Sequence, residues 1–284
     1  MGLGSLAAVV ASLLTVARDV VSKKVSSRVH PFVSSFASFA FAAPFYLLLL
    51  GVSWIIGFED FSWQGSFWFY VFLRAATDTV AEGSRMLAFK DGELSSVSAI
   101  FSLHPVITLI FSPLITGDPL NQNIVLGVLL ATLGTYFFLK VPKKIPLKSL
   151  IFSLLAAVFF SLNNCFDRLS AQSASALFGA FAMNMLAGFF TLPLIFIRPG
   201  ARQSLDQMQT SKGLFSLRGL FEAVFMTLKL MAVSVLQAPV ASAILRLNLI
   251  LQVFAGRAFF HEEGLLFRVI GSLLIVLGAI VTLI

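Results

Sequence analysis

The segment "RAATDTVAEGSR" (residues 74–85) sets two arginines and two carboxylates inside an otherwise apolar run. On a helix, Arg74, Asp78, Glu82 and Arg85 fall at i, i+4, i+8 and i+11, within an arc of roughly 80°. A charge at the centre of a membrane span costs about 2.5–3.5 kcal/mol, so four unpaired charges would cost on the order of 10 kcal/mol and cannot face lipid. The segment therefore lies on the membrane surface as an amphipathic helix, neutralises itself through Arg74–Asp78 and Glu82–Arg85 pairs, or forms a wall of a polar, solute-binding interior. The first reading fails if the rest of the chain needs this span to complete its helix count. The other two are compatible with each other.

The rest of the chain does need it. Of 284 residues, 58% are hydrophobic and 12% charged, with a mean hydropathy of +0.95; soluble domains average about 25% charged. A span takes about 20 apolar residues. By that measure the chain is an all-α polytopic membrane protein with ten spans, near 3–21, 32–57, 66–89, 95–116, 122–139, 149–168, 174–197, 213–235, 238–259 and 265–284. The amino terminus "MGLGSLAAVVASLLTVARD" has no basic leader region and reads as the first span, not a cleaved signal peptide. The net charge of +7 sits between apolar runs, which points to membrane orientation and not to nucleic acid. Cys165 is the only cysteine, so neither an internal disulfide nor a cysteine metal cluster is available.

The spans repeat. At an offset of 149, "LAAVVASL" (6–13) lies over "LAAVFFSL" (155–162), Arg18-Asp19 over Asp167-Arg168, and Pro44 over Pro193. At an offset of 144, Arg74 meets Arg218, Asp78 meets Glu222, Arg85 meets Lys229, His104 meets Asn248 and Asp118 meets Glu262, while Gly127 and Gly134 meet Gly271 and Gly278. A five-residue change in the connection between the second and third helices reconciles the two offsets. The chain is a duplicated five-helix unit, 1–142 and 143–284. Five is odd, so the second copy inserts upside down, the inverted repeat of many secondary transporters. Thirteen Lys and Arg residues fall in the connections on one face, among them Lys23, Lys24, Lys90 and Lys148. The other face carries Arg168 with Glu59, Asp60 and Asp118. The positive-inside rule makes the basic face cytoplasmic and puts both termini outside, in a plasma (inner) membrane.

The segments "SSVSAIFSLHPVITLIFSPLITGDPLNQNIVLGVLLATLGTYFFL" (95–139) and "APVASAILRLNLILQVFAGRAFFHEEGLLFRVIGSLLIVLGAIVTLI" (238–284) resemble the EamA-type members of the drug/metabolite transporter superfamily. Pro105 and Gly127/Gly134 fit the family pattern in the first copy, and Glu262 and Gly271/Gly278 in the second. Asp118 replaces the usual glutamate, and Leu249 stands where the second proline would be. The resemblance implies a central cavity lined by the third, fourth, eighth and ninth helices. It also implies gates in the first, second, sixth and seventh, with the fifth and tenth packed peripherally. Members are often described with cytoplasmic termini, against the charge count.

Residues near the middle of spans are the solute-binding candidates: Arg74, Asp78, His104, Arg218, Glu222, Arg246, Asn248 and Gln252. Arg246 has no carboxylate at i±3 or i±4, so it needs either an anionic group on the solute or a carboxylate from another helix. His104 reads as a hydrogen-bonded packing residue or a proton relay, and Asp78 and Glu222 as proton carriers or permanent ion-pair partners. Arg18, Asp19, Glu82, Arg85, Asp167, Arg168 and Lys229 are gating candidates, with Arg18-Asp19 and Asp167-Arg168 closing opposite ends of inverted helices. Asn163 and Asn164 lie one turn further in. No metalloprotease, nucleophile-elbow or acidic metal motif is present, and three scattered histidines suggest no metal site, so neither an enzyme nor a cofactor is expected.

The expected function is alternating-access transport of a small polar metabolite. Arg74, Arg85, Arg218, Lys229 and Arg246 against Asp78, Glu82 and Glu222 leave the interior at +2, favouring an anionic or zwitterionic solute: an amino acid derivative, organic acid or phosphorylated metabolite. The alternatives are proton-antiport export of drugs or cationic compounds, and a channel or sensor. The partners are a small-molecule solute and the lipid bilayer, with proton or counter-solute coupling, in a monomer or homodimer.

Overall fold

The structure is a computed structural model, and it describes residues 2–26, 29–57, 61–101, 103–139, 145–197, 208, 211–248, 251, 254–255, 258–259 and 265–282. The first five spans comprise α1 (Leu3–Ser26), α2 and α3 (Pro31–Ala40 and Ala43–Ile55), α4 (Phe67–Asp91), α5 and α6 (Leu94–Phe101 and His104–Ile115), and α7 (Gln122–Leu139). The second five comprise α8 (Leu147–Ala171), α9 (Ala176–Ile197), α10 (Lys212–Val235), α11 (Ala238–Leu245), which opens the ninth span, and α12 (Leu265–Val281). Residues 248, 251, 254–255 and 258–259 of that ninth span are also helical. The second span breaks at Phe41–Ala42, just before Pro44, and the fourth just before Pro105. In each, the proline lies in the first turn of the resumed helix, where its missing N–H costs nothing.

Four stretches are both long and apolar enough to cross a membrane: Leu3–Val25, Pro31–Ile55, Leu147–Ala171 and Ala176–Phe196. His104–Ile115, Gln122–Gly134 and Val269–Val281 are shorter apolar helices. Helices α4 and α10 have the length of a span, at 25 and 24 residues, but not the apolarity, because they carry the charges. Large side chains such as Leu48, Trp54, Leu114 and Phe189 point outward, as a lipid-facing surface requires.

Three helix pairs organise the interior, and each joins one repeat to the other. Helix α1 packs against α10 with Gly4 beside Leu236, Arg18 beside Glu222 and Ser22 beside Arg218. Helix α8 packs against α4 with Ser149 beside Gly92, Asn163 beside Asp78 and Asp167 beside Arg74. In both pairs the numbers rise along one helix as they fall along the other, so both are antiparallel. Helix α7 meets α12 through Gly127 against Gly278 and Gly134 against Gly271, again antiparallel. A two-fold exchange of α1 with α8, α4 with α10 and α7 with α12 maps every one of these contacts onto another. The repeats are therefore inverted.

These contacts correct the sequence offset for the first and sixth helices. The two-fold maps Gly4 to Ser149, Arg18 to Asn163 and Ser22 to Asp167, an offset of 145 and not 149. The cause is helical periodicity: a four-residue slip is nearly one turn, so it returns small and apolar residues to the same face and leaves the amphipathic pattern intact. Arg18-Asp19 thus corresponds to Asn163-Asn164, and Lys23 to Arg168. Helix α1 also runs to Ser26, beyond the expected end near 21, so Arg18 and Asp19 lie about two turns inside it. Lys23 and Lys24 complete its last turn, where cations favour the helix dipole.

A Cβ at Gly127 would lie 2.5 Å from the Gly278 carbonyl oxygen and 2.8 Å from the Thr282 nitrogen, so backbone meets backbone here. Gly127→Leu should force α7 from α12 and cost about 1–3 kcal/mol by overpacking. The check is a lower thermal midpoint of the detergent-purified protein.

Candidate functional site

A small cavity of about 60 Å³ lies between the repeats. Its walls come from spans one to four, six, eight and nine, including Phe39, Phe101, Phe160 and Phe225. The first, second and sixth spans thus line it beside the third, fourth, eighth and ninth.

Two buried ionic networks flank the cavity. In one, Asp167 of α8 accepts a hydrogen bond from Arg74 Nε at 2.9 Å and lies 2.6 Å from Lys229 Nζ. The other end of the Arg74 guanidinium pairs with Asp78. Asp78 also accepts from Asn163 Nδ2 at 2.8 Å, and Asn163 Oδ1 in turn accepts from Thr77 Oγ1 at 2.5 Å. The Arg74 guanidinium reaches the Met226 sulfur at 3.6 Å, at the repeat position of Glu82.

In the second network Glu82 Oε1 bridges Arg85 at 2.9 Å and Arg218 at 2.5 Å. Arg85 continues to Asp19 at 2.8 Å, and Arg18 lies 3.3 Å from Glu222 and over the Phe225 ring at 4.1 Å. Arg218 donates to Ser22 Oγ at 2.7 Å. The first network holds two cations and two carboxylates, the second three of each, so both are neutral.

Arg246 is the exception. It lies at the C-cap of α11, half-buried, with Nη2 2.6 Å from His104 Nε2, and no carboxylate among the described residues pairs with it. That contact needs the imidazole lone pair, so His104 is neutral and carries its proton on Nδ1. The Asn164 amide lies 3.4 Å from that Nδ1 and donates to Ser242 Oγ at 2.8 Å. Arg246 Nε and Asn248 Oδ1 are buried and make no hydrogen bond among the described residues.

Of the residues expected to bind solute, Arg74, Asp78, His104, Glu222, Arg246 and Asn248 line the cavity. Arg218 is fully buried behind it, and Gln252 lies outside the described residues. Of those expected to gate, Arg18, Asp19, Glu82, Arg85 and Lys229 also line the cavity, and Asp167 is buried beside it. Arg168 lies away from them, 2.7 Å from Asp118. Sequence spacing found the Arg74–Asp78 and Glu82–Arg85 pairs. It missed the bonds of Asp19 to Arg85, Asp167 to Arg74 and Arg218 to Glu82, pairs that lie 66, 93 and 136 residues apart. Adding Arg18, Asp19 and Asp167 to the eight charges first counted lowers the interior from +2 to +1, and the remaining charge is Arg246.

Inverted five-helix halves meeting around a charged interior define a multi-pass membrane protein of the small-molecule transporter class. The profile of the EamA-like transporter family matches twice, at residues 2–140 and 147–284. The chain belongs to that family, in the drug/metabolite transporter superfamily, and is a membrane transporter of small molecules. No curated protein matches it. A solved crystal structure shares the fold over 98% of this chain and 96% of its own, with a TM-score of 0.66 at 15% identity.

Asp167 is the sole carboxylate described for Lys229 and the second for Arg74, so Asp167→Ala should cost about 3–5 kcal/mol, the range for breaking a buried pair. A lower unfolding midpoint that Lys229→Met partly restores is the expected result.

Proposed function

We propose that the protein is an alternating-access carrier for a small solute bearing an anionic group, and that Arg246 is the anchor for that group. The observation carrying this reading is the charge inventory: among the described residues every other buried cation beside the cavity has a carboxylate partner, whereas Arg246 has an imidazole. A carboxylate or phosphate would accept two parallel hydrogen bonds from the guanidinium, the geometry in which arginine binds most strongly. Asn248 and Asn164 stand beside it as neutral polar contacts. An amino acid derivative, an organic acid or a phosphorylated metabolite meets this requirement; a lipophilic cation would add a second unpaired positive charge. Arg74, Asp78 and Glu222 face the same space but hold each other and their neighbours, so they shape the cavity more than they supply free binding capacity. The inverted halves support rocking around this midplane site.

Purified protein in liposomes should take up one member of a panel of amino acids, organic acids and phosphorylated metabolites, with saturation and counterflow. Conductance without saturation would mean a channel. Arg246→Ala should lower uptake at least about 100-fold while Arg246→Lys keeps part of it, since a point charge replaces a fork. Full uptake by Arg246→Ala would make Arg246 structural. For orientation, we propose both termini outside. A cysteine added at the C-terminus in a Cys165→Ser background should react with an impermeant maleimide on intact cells, and protection there would reverse the assignment.

A further inference from the structure

Lys23 and Arg168 are two-fold equivalents, and they make the same bonds. Lys23 of α1 donates to the carbonyl oxygens of Phe89, at 2.5 Å, and Gly92, at the C-terminal end of α4. Arg168 of α8 donates to those of Val233, at 2.9 Å, and Leu236, at 2.6 Å, at the end of α10. Phe89 and Gly92 correspond to Val233 and Leu236 at the repeat offset of 144. Both helices stop in the same way, with an extended C-cap at Gly92 and at Leu236 before the next helix starts. Each cation thus closes the carbonyl end of a cavity-lining helix of its own repeat, tying the α1–α10 pair to the α4–α8 pair, and inversion puts the two closures on opposite faces. On the Arg168 side Asp118 accepts from both Arg168 and the Ala238 backbone N–H, which draws the start of α11 into the same closure.

From this geometry we infer that Lys23 and Arg168 are the two gates of the transport cycle, each a cation latched onto the carbonyl end of α4 or α10 in its own repeat and so bridging the two inter-repeat helix pairs. The inference rests on the alternating-access reading, and it replaces Arg18-Asp19 and Asp167-Arg168 as the matched pair. Both latches are made in the structure, and access to either face requires releasing one while the other holds. Cations at helix carbonyl ends suit this role because the bond combines charge with the helix dipole, and the released side chain returns to the headgroup region.

The chain contains its own reporter. Cys165, three residues before Arg168, is completely buried, and its two-fold equivalent Val20, three residues before Lys23, is 8% exposed. Alkylation by a water-soluble maleimide is measured on the detergent-purified full chain, at Cys165 and, in a Cys165→Ser background, at Val20→Cys. Arg168→Gln should speed the reaction at position 165 roughly tenfold, the population shift expected from losing a charge-assisted hydrogen bond, and leave position 20 unchanged or slower. Lys23→Gln should do the reverse, while Arg168→Lys and Lys23→Arg keep the parent rates. If both positions speed up together in either variant, the residues merely hold the bundle together and the inference fails; it also fails if neither position responds. The assay uses no solute, so a failed uptake panel would overturn the proposed solute without deciding the gates.

Discussion

Arg74 can be buried only if carboxylates are buried with it, and one of its two, Asp167, comes from the other repeat. An isolated charge would cost more to place at this depth than the packing around it returns, and breaking a buried pair by removing one partner is comparably costly. The same constraint joins Glu82 to Arg218 and Glu222 to Arg18. Each repeat carries charges that it does not fully neutralise by itself, so the halves must come together in one register. The α4–α8 and α1–α10 contacts meet that need and set the spacing of the cavity walls.

Among the described residues ten of the interior's eleven charges are paired, so the interior neither strongly attracts nor repels ions in general. At the edge of the neutral networks Arg246 leans on His104, with no carboxylate partner among the described residues. A neutral imidazole satisfies a guanidinium without cancelling its charge, so the position stays available to an anion. Phe39, Phe101, Phe160 and Phe225 add apolar surface to the same cavity, and a lower local dielectric strengthens the electrostatic contacts beside them. Stability and recognition are separate in this proposal: the paired charges hold the halves together, and Arg246 is the proposed anchor for the solute.

How much of this was legible in the chain depends on the reach of each interaction. Arg74–Asp78 and Glu82–Arg85 lie within one helical turn and can be read from spacing. That Arg246 lacked a local carboxylate was visible too, because i±3 and i±4 can be checked by eye. The offset of 144 held for the third to fifth helices, where charges and glycines give unambiguous marks. It slipped in the first helix, where alanine, serine, leucine and valine repeat closely enough to match after one extra turn. That slip hid the equivalence of Lys23 with Arg168, and Lys23 was read only as a loop charge setting orientation.

Length, apolarity and an odd-numbered duplication were enough by themselves to determine ten spans, two copies and their inversion, because the bilayer constrains these through local hydrophobicity alone. Tertiary structure decided the rest: which carboxylate answers which cation, which helices wall the cavity, and where the repeat register lies. Those are contacts between segments tens to hundreds of residues apart. Helical periodicity leaves several registers equally good in sequence, and only the close approach of Gly127 to Gly278 and the pairing of Arg74 with Asp167 select one.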